Sequence, residues 1–394
     1  MVRCLFVTVL LFLFSCNSNE YTNYLKVIEP VDFSKEIDLL DYVEYLEYIP
    51  LRENKSALLN NVAKVFKTDK YLVVKCYNRS ALFFFNHQGE YVKKVVATGQ
   101  GPYEFANLMD VSYNKKNGEF FLLDFENRKL LKYSLGRSEI ISESSKNDTH
   151  FYSMFNYNNS LYLVSEPSDA GRIKILDDST YELLGGGVHG AQESFNFVVT
   201  QDNIKVFKDT LFFNVSFTDT IYYSTGKSIK PYAVLGSGDE SFSSVDNKLE
   251  YMKRSVSGFD KMTPEEKKVL VPVGFFSVYK NIWFIDLVWP YKMIVWNRSN
   301  NAQMLLDYRK IKNRSLLFNY RLFHIHYVDD DGFAYSSLML NSDFYRDAQQ
   351  VIESDEYGQG LVDSLEGILS AFPEGSGYEN PIIVKFKLNT NFLI

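Results

Sequence analysis

Six short apolar runs punctuate this chain: YLVVKCY from Tyr71, FFLLDF from Phe120, LYLVSE from Leu161, LFFNVS from Leu211, IWFIDL from Ile282 and FAYSSL from Phe333. Each is apolar almost throughout, which marks a strand covered on both faces; a half-exposed strand alternates. Each also follows a turn signal, such as Thr68-Asp69-Lys70, Asn158-Asn159-Ser160 or Asp331-Gly332. Several are followed by a second strand, as in ALFFF from Ala81, RIKIL from Arg172 and TIYYS from Thr220. Four of the five intervals lie near the roughly 40–50 residues of a four-stranded blade. The pattern predicts an all-β fold, a six-bladed β-propeller of four-stranded antiparallel blades with short helical insertions.

The stretch His87 to Gly136 reads as one blade with the joint before it. Asn117-Gly118 is a hairpin signal, because both residues tolerate positive φ. Gly99-Gln100-Gly101-Pro102 excludes regular structure. The one long interval is explained by an insertion near residues 236–272. There Thr263-Pro264-Glu265-Glu266 has the composition of a helix start. A second insertion, near residues 343–372, places Leu361, Leu365, Ile368, Leu369 and Phe372 on one helical face, with Gly358-Gln359-Gly360 dividing it into two helices. Blade six is expected from Leu322 to Tyr327, Gly332 to Leu338 and Ile382 to Leu388. The left-over strand Tyr42 to Leu51 would close that blade, since a closed ring removes free strand edges.

The first residues change the picture from fold to address. Met1 to Ser15 has Arg3 and then an apolar run from Cys4 to Phe14, too short for the roughly 20 residues of a membrane span. It ends in Leu13-Phe14-Ser15-Cys16, which resembles the lipobox of bacterial lipoproteins, with Phe14 where a small or β-branched residue is usual. The resemblance implies a signal peptide over 1–15, a lipidated Cys16, and a short polar tether over 16–24. An ordinary secretory signal is the alternative. Of three cysteines, only Cys76 would then be left, so the mature chain could form no internal disulfide. Cys76 reads as a buried small hydrophobe. The net charge of −7 offers no electrostatic footprint for nucleic acid. The 28 Tyr and 32 Phe suit extensive β packing.

The order of several motifs carries a wider resemblance. EYIPL from Glu47, FFFNHQGEYVKKV from Phe83, GQGPYEF from Gly99, LLDFENRKLLKYS from Leu122, TDTIYY from Thr218 and ENPIIVKFKL from Glu379 occur in sequence. Together they make the chain similar to the six-bladed β-propeller lipoproteins of Bacteroidota, and more distantly to NHL-repeat propellers. That resemblance implies an outer-membrane lipoprotein, periplasm-facing or surface-exposed, held to the membrane through Cys16, with its propeller over residues 25–394. It implies no particular activity.

Candidate chemistry is sparse. His324 and His326 share a strand face, but no third metal ligand is signalled nearby. Gly99-Gln100-Gly101 and Gly185-Gly186-Gly187 precede no helix start, so neither is a phosphate loop; the second reads as a flexible blade joint. No nucleophile elbow, HExxH or Cys–His pairing is present. Inner strands offer Asp110, Asn156, Lys205, Ser277 and His326 to the central channel, a mixed set without an acidic cluster. This favours a binding or scaffold module, with no cofactor, over a channel-centred metal-dependent hydrolase or lyase. A glycan, a peptide or an envelope protein is the expected partner. Counting antiparallel strands puts the blade-joining loop on the same face as the turn between the next blade's second and third strands. Gln100, Tyr103 and Glu104 would therefore lie beside Asp124, Asn127 and Arg128, with Asp286 and Trp289 at the matching place in blade five. Tyr, Trp and Arg dominate binding energies, which makes this the candidate binding face. For Asp124 a role in capping its own turn is preferred.

Overall fold

The structure, a computed structural model, describes most of residues 25–389; residues 1–24, 53–57, 166–171, 189–202, nearly all of 237–261, 288–291, 319–323, 390–394 and some single positions lie outside the description. It is a six-bladed β-propeller of small antiparallel sheets. Blade one runs through Val62–Lys67, Leu72–Cys76, Ala81–Phe85 and Tyr91–Val96. Blade two is Leu108–Asn114, Glu119–Asp124, Lys129–Ser134 and Glu139–Glu143. Blade three is Phe151–Tyr157, Ser160–Ser165, Ile173–Asp177 and Leu183–Gly187. Blade four is Ile204–Phe207, Thr210–Asn214, Thr220–Ser224 and Ile229–Leu235. Blade five is Pro272–Tyr279, Ile282–Leu287, Lys292–Asn297 and Ala302–Asp307. Within each, chain order is also the order from the channel outward.

The apolar runs have a simple cause. The buried hydrophobic residues form six clusters, one in each seam between neighbouring blades. Strand Glu119–Asp124 shows how. Its alternate residues Phe120 and Leu122 enter the seam with blade one, and Phe121 and Leu123 enter the seam with blade three. A strand serving two seams must be apolar at consecutive positions.

Blade six is built from both ends of the chain: Tyr327–Val328, Ala334–Leu338, Ile382–Leu388 and Val43–Pro50. The last two pair antiparallel from Ile382 opposite Pro50 to Leu388 opposite Val43. Its inner strand is shorter than the Leu322 to Tyr327 expected, and residues 321–323 lie outside the description. Ahead of Val43, residues 26–38 also pair with the ring. Lys26–Ile28 adds a fifth, parallel strand to the outer edge of blade four, and Val31–Phe33 does the same for blade five. Ile37–Asp38 then pairs with Ile311–Lys312 in the linker after blade five. Residues 26–50 thus form a strap around three blades that covers outer edges otherwise open to pairing.

Between Ala334–Leu338 and Ile382–Leu388 of that composite blade, the insertion holds two α-helices, Ser342–Ile352 and Gln359–Ala371. Gly358 is the N-cap of the second, whose Leu365 and Ile368 are buried against blade six. In the other insertion, most of which lies outside the described residues, the expected helix start at Thr263 leads into a 3₁₀ turn, Glu266–Lys268. Its start is a reciprocal capping box. Thr263 N–H donates to Glu266 Oε2 at 2.7 Å, and Glu266 N–H donates to Thr263 Oγ1 at 3.2 Å. Gly185 and Gly186 are not a loose joint. They lie in the outer strand of blade three, where a Cβ on Gly185 would fall 2.0 Å from the Lys227 carbonyl oxygen of blade four. Only glycine permits that approach.

Candidate functional site

The inner strand of each blade faces the channel with one unpaired edge, and buried backbone groups need partners. Side chains from neighbouring blades provide them. Asp110, on the inner strand of blade two, accepts from Met154 N–H of blade three at 2.7 Å and from its neighbour Val111 N–H at 2.8 Å. Lys64 of blade one pairs with Asp110 at 2.8 Å and also donates to the Val111 carbonyl at 3.3 Å. Ser112 accepts from Asn156 N–H at 2.7 Å, and Ser277 of blade five accepts from Ile325 N–H at 2.9 Å. Lys205 of blade four donates across the channel to the Ile325 carbonyl at 3.3 Å. Asp110 is fully buried, which pushes its carboxyl up, while Lys64 and the two N–H groups draw it back down. Of the five channel residues read from the sequence, Asp110 and Ser277 are therefore edge caps that join blades.

The other three, Asn156, Lys205 and His326, line a cavity of about 520 Å³. Lys64 and Val111 mark its inner end, and the turn residues Lys115, Asn158 and Asp330 mark its mouth. It opens at the C-terminal ends of the inner strands, where each inner strand turns into the second. The rings of Phe66, Tyr113, Phe155, Tyr157 and Tyr327 stand around it. Burial holds the Tyr113, Tyr157 and Tyr327 hydroxyls above the ordinary phenol range, so all three are neutral donors at physiological pH. The Asn156 side-chain amide donates to Asp178 Oδ2 at 2.9 Å, which fixes its orientation. At the mouth, Lys115 pairs with Asp330. His326 Nε2 lies 2.9 Å from Ser337 Oγ, and its ring sits 4.2 Å from that of His324, centroid to centroid. Among the described residues, no three His, Cys, Asp or Glu side chains come together as metal ligands. Cys76 is buried in the seam between blades six and one.

The aromatic lining was not read from the sequence. A signal exists: Ser112-Tyr113-Asn114 and Asn156-Tyr157-Asn158 each place Tyr-Asn at the end of an inner strand.

The expected binding face lies at the other end of the strands, and none of its residues lines a described cavity. Six of them do gather on blade two. Asp124 is wholly buried and accepts from Ala106 N–H and Asn107 N–H, both at 3.1 Å, and from the Asn127 side-chain amide at 2.6 Å. Glu104 Oε2 accepts from Gly101 N–H at 3.0 Å. Lys129 donates to the Gly101 carbonyl at 3.0 Å and pairs with Glu143, which also accepts from Tyr103 N–H. These contacts hold the loop to its own blade. Gln100 is exposed, Tyr103 is 55% exposed, and Arg128 donates to the Asp148 carbonyl at 3.3 Å. Asp286 is not on this surface: it is buried in blade five beneath Tyr308, whose hydroxyl donates to it. Burial raises the Asp286 carboxyl well above its usual range, against the pull of Arg314. Trp289 lies outside the described residues.

A crystal structure of an exported protein from Bacteroides fragilis superposes with a TM-score of 0.65 at 13% identity, over 92% of this chain and 99% of that one. A member of the DUF4221 family from Bacteroides vulgatus gives a TM-score of 0.46 at 10% identity, over 88% and 96%. No curated protein matches the sequence. No described helix is long and apolar enough to cross a membrane. The family model described as domain of unknown function DUF4934 matches residues 24–387, nearly the whole ring with its strap, and the chain belongs to that family.

Proposed function

We propose that this protein is a lipid-anchored binding module of the bacterial cell envelope, with its ligand site in the central cavity at the turn face of the propeller. The cavity is the observation that carries the reading. At about 520 Å³ it falls within the roughly 300–1,000 Å³ of small-molecule sites, and it combines aromatic walls with a few fixed polar groups. The caps beneath it, Lys64–Asp110 above all, make its floor part of the rigid ring. The address is supported by the apolar leader, by Cys16 at its end, and by an exported protein of the same fold. One acyl chain binds membranes only weakly, so multiple acylation of Cys16 would provide the anchor.

Two measurements test this. Cys16→Ala is expected to move the protein from the outer-membrane fraction to the soluble envelope fraction or to leave it as unprocessed precursor. Mature Cys16→Ala protein in membranes refutes the anchor. In a thermal-shift screen of small molecules, a ligand at a hundredfold excess over its Kd adds about 2.7 kcal/mol to stability. Tyr113→Ala is expected to abolish that gain and Arg128→Ala to preserve it. The reverse pattern places the ligand on the loop face instead.

A further inference from the structure

A second, smaller cavity of about 250 Å³ lies on the same face, between blades three and four. Tyr162, Asp209 and Lys227 line it, and it shares Tyr157 and Asn158 with the central cavity. Tyr157 and Asn158 are therefore a common wall, and the two spaces adjoin, one at the ring centre and the other between blades three and four.

We infer that these two adjoining cavities take a short oligosaccharide, with one sugar in the central cavity and the next reaching over Tyr157 into the smaller one. The inference rests on the reading of the central cavity as the ligand site. A sugar ring presents apolar C–H faces and a rim of hydroxyls that both donate and accept. The lining answers both needs: aromatic rings for the faces, and neutral tyrosine hydroxyls with Asn114 and Asn156 for the rim. Other ligand classes fit less well. An extended peptide would pair with an open strand edge. The inner edges around the channel are already engaged by Asp110, Ser112 and Ser277. A polyanion calls for several unmatched cations, and of the three lysines that line the central cavity Lys64 and Lys115 are each matched by a carboxylate, Asp110 and Asp330, while Lys205 donates to the Ile325 carbonyl.

The test is calorimetric titration of the purified full chain with glucose-, galactose- and mannose-based oligomers of one to six units, a heptapeptide pool and ATP. One sugar series is expected to bind, its affinity rising at least about tenfold from one unit to two or three, the effect of one good contact of about 1.4 kcal/mol. Tyr157→Ala should erase that rise. Asp209→Ala, which touches only the smaller cavity, should reduce it and leave monosaccharide affinity unchanged, and it keeps the test open if Tyr157→Ala folds poorly. Failure of every sugar to bind overturns the inference. If peptide or ATP binds in a Tyr113-dependent way while sugars do not, the ligand class is wrong and the central site stands. If sugars bind but neither Tyr113→Ala nor Tyr157→Ala weakens them, the site and the inference both fall.

Discussion

Asp110 holds three blades together, and its removal should be felt as a unit. Asp110→Ala deletes the acceptor for Lys64 Nζ, Val111 N–H and Met154 N–H, all at 2.9 Å or less. It leaves a buried ammonium without its counter-charge, and breaking one side of such a pair costs about 3–5 kcal/mol. For the ~365 residues of the ring, an unfolding entropy of about 2.1 cal/mol/K per residue gives ~0.8 kcal/mol per degree. Asp110→Ala should therefore lower Tm by about 4–6 °C in scanning calorimetry. Lys64→Met should also destabilise, because the Asp110 carboxylate then keeps only its two backbone donors. The double variant Lys64→Met, Asp110→Leu is the decisive member. It removes both buried charges together, so its loss should be smaller than the sum of the single losses by at least about 1 kcal/mol. Single variants within 1 °C of the parent, on the same ~0.8 kcal/mol per degree scale, or strictly additive losses, refute a coupled buried pair.

Two further outcomes follow from the interior. Burial lowers the ammonium of Lys75 from 10.5 to about 8, so between those values the unfolded chain holds the proton and the folded chain does not. Stability from this group should therefore rise with pH across that window, and Lys75→Met should raise Tm at neutral pH and flatten the rise in a pH series of melts. Arg298 stacks over Trp296 at 4.2 Å, Tyr232 at 4.8 Å and Trp283 at 4.9 Å in the seam between blades four and five. Arg298→Ala should cost about 2 kcal/mol or more, read by denaturant titration with a change in tryptophan emission; unchanged stability would mean the rings pack equally well alone.

The blades were legible because the seam geometry writes itself into consecutive residues. Phe120 and Phe121 serve different neighbours, and a strand covered on both faces asks for both. Asp124 was legible as a cap because the Asn127 N–H, three residues on in its own turn, lies within its reach. The strap was not, because Lys26–Ile28 and Val31–Phe33 are three-residue strands, mostly exposed, with no run to betray them. The cavity was not, because it takes between one and four residues from each of several distant strands. The face chosen by counting strands and by residue type includes Glu104, which accepts from Gly101 N–H and so seats its own loop. Asp286 shows the same limit: nothing beside it in sequence announces Tyr308 above it.

The strap also sets an order of assembly. Lys26–Ile28 is made long before its partner Ile229–Leu235, and Val43–Pro50 long before its partner Ile382–Leu388. Both segments must therefore wait for those partners while blades one to five can form from local contacts. Long-range pairings bear the largest loop-closure entropy and form slowly. Ring closure is thus the final event whichever way the chain is delivered. A chain shortened at its C-terminus would fail first at residues 43–50, close to the opposite end of its own sequence.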